Sequence, residues 1–164
     1  MEKSKNSELT FDDQTGRFPQ LEGMFAAILA YVATELKLPR QAVESLTLAD
    51  DSTVQQLNRE YRHADRPTDV LSFAFGEAKD DGDLPFMDLG DVVISVDTAS
   101  RQAREFNHPT VRELAFLFIH GTLHNLGYDH ARSAADAEIM FALQNRLLDS
   151  FAWDWSDARW QPLK

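Results

Sequence analysis

Residues 110–130 read TVRELAFLFIHGTLHNLGYDH, and this stretch organises everything around it. Leu114, Phe116, Leu117, Phe118 and Ile119 make an apolar run. Its periodicity predicts a helix over 110–126, opened by a capping box at Thr110 and Glu113 and stopped by Gly127 in the left-handed conformation. Four helical residues advance about 400°, so His120 and His124 leave one face a single turn apart. Gly127 lets the chain fold back and brings His130 to the same point. Three neutral imidazole nitrogens suit Zn²⁺ with a fourth position open, the arrangement of a catalytic site. The competing reading is three unrelated histidines. It accounts for one of them but not for the i, i+4 pair inside so apolar a helix. Gly121, costly inside a helix by about 1 kcal/mol against alanine, is expected to leave space beside the site.

Outward from this helix, strand and helix patterns alternate. Strands are predicted over 7–12, 44–49, 69–75 and 90–97, the last so rich in β-branched residues that it is expected to be central. Helices are predicted over 19–38, 51–61, 98–106, 110–126 and 136–151. Residues 77–88 hold five acids against Lys79, with Gly82 and Pro85, and read as a solvated loop. The expected fold is α/β (α+β): one compact domain over 1–164, a small sheet of about four strands and about five helices. Residues 1–6 and 152–164 are expected to be terminal extensions. The three tryptophans, all in the last of these segments, are expected to pack against the body.

Composition narrows the chemistry. The 164 residues contain no Cys, which removes disulfides, thiol nucleophiles and thiolate metal sites, so a metal must sit on His, Asp or Glu. No apolar run approaches the roughly 18 residues of a membrane span, and the first residues lack the apolar core of a signal peptide; a cytoplasmic location is expected. Sixteen Lys and Arg against 27 Asp and Glu give a net charge of −11, which argues against nonspecific coating of nucleic acid. A net charge is a sum, however, and a site is local.

The histidine spacing equals that of the metzincin proteases, HExxHxxGxxH, except that Gly121 stands where those enzymes carry their general-base Glu. A zincin-like metal site without that carboxylate fits a substrate whose transition state needs charge neutralisation, such as a phosphodiester, and calls for a cation elsewhere in the chain.

HGTLHNLGYDH at 120–130, LNREYR at 57–62, PTDVLSF at 67–73 and GDVVIS at 90–95 resemble, in the same order, segments of the bacterial YbeY family. The resemblance implies helices around a small mixed sheet, zinc on His120, His124 and His130, and a metal-dependent endoribonuclease. Its implied substrate is single-stranded or ribosomal RNA, in 16S 3′ end processing and 70S ribosome quality control. The family's functional arginine falls on Arg62, which suits phosphate contact; its residue-level alternative is a solvated helix-end arginine favoured by the dipole.

His120 and Arg62 are thus the catalytic candidates. Asp129 and Asp69 are candidates for groups supporting the ligands, each with a turn or cap role as the alternative. His63 and His108 are expected on the surface. Two departures stand out. Ala74 replaces a frequent proline, and Asn125 replaces a leucine, with its side chain turned away from the ligand face. Two other functions fit the residues: a zinc hydrolase of another substrate such as a peptide, with Asp129 as base, and a ribosome-assembly factor whose metal is structural. Residues 77–91 carry six acids and one Lys, a candidate docking surface for the ribosome or a basic ribosomal protein.

Overall fold

The computed structural model describes residues 5–74 and 84–163. The described elements are β1 (Ser7–Asp13), α1 (Glu22–Glu35), β2 (Gln41–Ala49), α2 (Asp51–Arg62), β3 (Val70–Phe73), β4 (Phe86–Ser95), α3 (Val96–Glu105), α4 (Thr110–Asn125) and α5 (Ala134–Ser150), with 3-10 turns at Pro19–Leu21 and Ala158–Trp160. The strands form one mixed sheet in the order β1-β2-β4-β3, in which β1, β2 and β4 are parallel and β3 runs antiparallel to β4.

Apolar patterning explains the layering. Met24, Phe25, Ile28, Leu29 and Val32 form the buried stripe of α1, which meets Leu46, Leu48, Val92 and Ile94 of the sheet and Leu114, Phe118 and Ile119 of α4 in one core. Val54 of α2 packs with Ala49, Leu71 and Val93 on the opposite face. As expected, β4 is central: Val92 to Ser95 are all buried because both faces are covered. Helix α4 lies between the sheet and α5, so it is buried nearly all round.

Two strands begin earlier than the pattern predicted. β2 starts at Gln41 and β4 at Phe86, and their first residues pair, Gln41 with Phe86 and Ala42 with Met87. A register shift between Val43 and Glu44 follows, opposite Gly90 with φ +99°. Such a bulge breaks the period-2 alternation that sequence reading relies on. Residues 86–88 are therefore strand and not solvated loop. Asp88 accepts the Gly90 N–H at 3.0 Å and Asp91 accepts the Ser45 hydroxyl at 2.5 Å, so these two acids of the expected docking loop belong to β4. The acids at 77–83 lie outside the described residues.

Helix ends differ in detail. No capping box forms on α4: the N-cap is Pro109, and Glu113 instead receives His108 Nε2 at 2.7 Å. That contact leaves His108 half-buried instead of a surface residue. Gly127 does take the left-handed conformation, φ +102°, with Tyr128 N–H bonding Leu123 O at 3.0 Å. The C-terminal segment folds back on the body as expected. Trp153 stacks on Phe151, with centroids 5.6 Å apart, and meets Trp160 at a tilt of 37° with centroids 5.1 Å apart; Leu163 N–H reaches Arg17 O at 2.7 Å.

Candidate metal centre

Two neighbouring turns of α4 and the return after Gly127 bring the three histidines together. Ring centroids lie 4.7 Å apart for His120 and His124, 5.5 Å for His120 and His130, and 5.0 Å for His124 and His130. One nitrogen of each ring lies within 4.8 Å of the others. His120 Nδ1 is 2.7 Å from Gln144 Oε1 of α5. The amide oxygen can only accept, so Nδ1 carries the proton and Nε2 is left as the ligand atom. Burial holds His120 below the usual histidine range, and burial with the neighbouring His120 and His130 rings pushes His124 down to about 4. Both are therefore neutral at pH 7, the form a metal needs. A donor set of three convergent imidazole nitrogens, with the His120 tautomer held by Gln144, fits Zn²⁺.

The histidines open onto a cavity of about 600 Å³ whose far wall is built by α2, β3 and the chain between them. Arg62 lines it. The Arg62 guanidinium lies over the Phe73 ring, 5.1 Å from the centroid, and donates to the Ser72 carbonyl. Arg62 is exposed at the end of α2, and these two contacts set where its guanidinium lies. Arg66 and Asp69 line the same cavity. Asn58 Nδ2 donates to Arg66 O at 3.0 Å and ties that loop to α2, while His63 turns the chain as a left-handed cap at φ 56°. Asp69 Oδ2 accepts from Gln102 Nε2 of α3 at 3.1 Å, and the negative charge of Asp69 is felt at His120. Asp129 is placed differently: its Oδ1 accepts the Ala131 N–H at 2.8 Å, and Oδ2 faces Arg132 Nε at 3.7 Å, the geometry of a turn.

Gly121 serves another purpose than the one expected. A Cβ there would sit 2.8 Å and 3.1 Å from the two Val92 methyls and 3.4 Å from Val70, so the glycine lets α4 press onto β4 and β3. Asn125 is also explained. It is buried and donates to Glu44 Oε2 of β2 at 3.0 Å, while Thr122 Oγ1 donates to Glu44 Oε1 at 2.8 Å. Burial pushes this carboxyl up to about 7.

Gln144, Arg66 and Glu44 escaped the sequence reading. Gln144 lies 24 residues from His120 on a helix whose amphipathic pattern treats it as a polar interruption, and Glu44 sits in a strand where alternation assigns no partner. Arg66 alone left a signal, four residues beyond Arg62 in the same turn.

The sequence profile of the family described as Endoribonuclease YbeY matches residues 8–152. Among similar proteins, Endoribonuclease YbeY of Limosilactobacillus reuteri is 42% identical over 153 residues, covering 86% of this chain and 94% of that protein. That of Limosilactobacillus fermentum is 43% identical over 151 residues, covering 87% and 96%. The solution structure of TM1509 from Thermotoga maritima has the same fold, with a TM-score of 0.58, 24% identity and 87% of each chain covered. Identity at this level along nearly the whole of both chains places this chain in the YbeY family.

Proposed function

We propose that this protein is a zinc-dependent, single-strand-specific endoribonuclease of ribosomal RNA maturation, acting in the cytoplasm on the 16S 3′ end and in 70S quality control. The observation that carries the reading is the convergence of three histidines on a cavity whose other wall presents Arg62. His120, His124 and His130 would hold the ion, which when bound supplies a Lewis acid for phosphoryl oxygen and lowers the pKa of water. Arg62, fixed by Phe73 and Ser72, binds a phosphate oxygen and offsets the charge that develops there. Arg66 adds a second guanidinium to the cavity, so the local field is favourable to RNA although the whole chain is acidic. Asp69, held through Oδ2 by Gln102, supports the ligand group with its charge beside His120. Gln144 keeps His120 in the ligating tautomer. Targeting to the ribosome falls to the acids of 77–91, against a basic ribosomal protein.

The peptide-hydrolase alternative is less well supported, since Asp129, its base, is not among the residues lining the cavity. A purely structural metal is disfavoured by the cavity in front of the histidines. The test pairs metal analysis with cleavage of a structured ribosomal RNA fragment, with and without chelator. His120→Ala should lose zinc and cleavage together. Arg62→Ala should keep zinc and lose cleavage by 100-fold or more, on the order of what one removed transition-state donor costs. Full cleavage by metal-free protein, or by His120→Ala, would overturn the proposal.

A further inference from the structure

Helix α5 faces the histidines with two residues one turn apart. Gln144 takes His120, and Phe141, three residues earlier, packs its ring 5.7 Å from that of His130 at an interplanar angle of 34°. Helical i, i+3 positions share a face, so the two contacts fix how α5 addresses the metal centre. Their burial differs sharply. Gln144 is fully enclosed, but Phe141 leaves 44% of its surface exposed, and the His130 beside it is exposed as well. A large aromatic ring half in solvent gives up much of the stabilisation that burial would bring, and here it does so against His130, which lines the cavity together with Arg62 and Arg66.

Aromatic rings lie beside Arg62 as well. Tyr61, 64% exposed, meets Phe73 edge-on at 5.7 Å, and Phe73 carries the Arg62 guanidinium on its face. The histidines thus have Arg62 and Arg66, which suit phosphates, on the α2–β3 side and a half-exposed aromatic ring on the α5 side. Among the chemistries an RNA strand offers, an exposed ring beside a phosphate-binding centre suits a nucleobase. A base inside a duplex has both faces covered by its neighbours, so only an unpaired base can use such a platform.

We infer that Phe141 is a stacking platform for an unpaired nucleobase adjoining the scissile phosphate, which makes this face of α5 part of the substrate site and a source of the preference for single strands. The inference rests on the endoribonuclease reading. It assigns Phe141 the substrate and not the metal, and predicts that any flat ring at 141 will serve.

The test uses the zinc-loaded full chain and a fluorescein-labelled 2′-O-methyl RNA oligonucleotide of about ten nucleotides, shown by gel to stay intact during the measurement, with binding read by anisotropy. A companion set carries one abasic residue at each position in turn. Base–aromatic stacking is worth about fivefold to 150-fold in affinity. Phe141→Ala should bind the intact strand about tenfold more weakly while keeping its zinc. Phe141→Trp should bind as well as the parent protein. One abasic position should cost the parent protein about tenfold and cost Phe141→Ala nothing further.

Equal binding by Phe141→Ala and the parent overturns the platform. So do losses from Phe141→Ala and every abasic position that simply multiply, or a weakness of Phe141→Ala that zinc saturation repairs, which would make the ring a support for His130. A parent protein that neither binds the strand nor cleaves its unmodified counterpart would overturn the endoribonuclease reading together with the platform. Cleavage with unaltered binding by Phe141→Ala would overturn the platform alone.

Discussion

Glu44 offers the sharpest physical test of the fold around α4. It is 1% exposed, it lies between β2 and α4, and its hydrogen-bond donors are Thr122 and Asn125. Desolvation raises its pKa from 4.5 to about 7, with Asp91 and Asp88 adding to the rise and the two hydrogen bonds opposing it. The sign follows directly. The folded state holds this proton more tightly than the unfolded chain, so the contribution to stability is fully present below pH 4.5 and is lost as pH rises to about 7. At about 1.4 kcal/mol per pH unit, the loss across that window totals about 3 kcal/mol.

Glu44→Gln keeps the shape and cannot ionise. It should match the parent near pH 4.5 and exceed it by about 2–3 kcal/mol at pH 8. Urea unfolding of both proteins at a series of pH values, monitored by far-UV circular dichroism with chelator present throughout, would read this as a midpoint higher by about 1 M for the variant at pH 8. Taking the difference between the two proteins at each pH cancels the histidines and every other shared titration. A difference that stays constant from pH 4.5 to 8 would refute the reasoning, because Thr122 and Asn125 would then offset the desolvation of the carboxylate in full.

Gln144→Leu removes the acceptor on His120 Nδ1 at 2.7 Å and should weaken zinc binding by about 10–100-fold in competition with a chromophoric chelator; an unchanged affinity would mean the tautomer is set some other way. Gly121→Ala gains about 1 kcal/mol of helix propensity but drives a methyl to 2.8 Å from Val92, an overpacking worth about 1–3 kcal/mol, so a modest fall in the urea midpoint is expected and a rise would show that the sheet yields freely.

Much of this molecule was legible in its sequence because the signals are local. The i, i+4 pair at His120 and His124, the left-handed Gly127 and the return of His130 are consequences of helix geometry within eleven residues, and the core stripes of α1 and α4 follow from the same period. The four strands were visible as apolar alternation, but the first turns of β2 and β4 were not, because a bulge opposite Gly90 interrupts the period that reveals a strand.

Tertiary structure alone decided the rest. That Gln144 orients His120, that Asn125 answers a buried Glu44 on β2, that Gly121 makes room for Val92, and that Arg62 is pinned on Phe73 are contacts between residues 10 to 81 positions apart. Nothing in a residue's own neighbourhood encodes such a partner. The side chain is chosen by what the folded sheet and helices place opposite it, and burial then makes each unmet polar group or lost ångström costly enough to fix the choice.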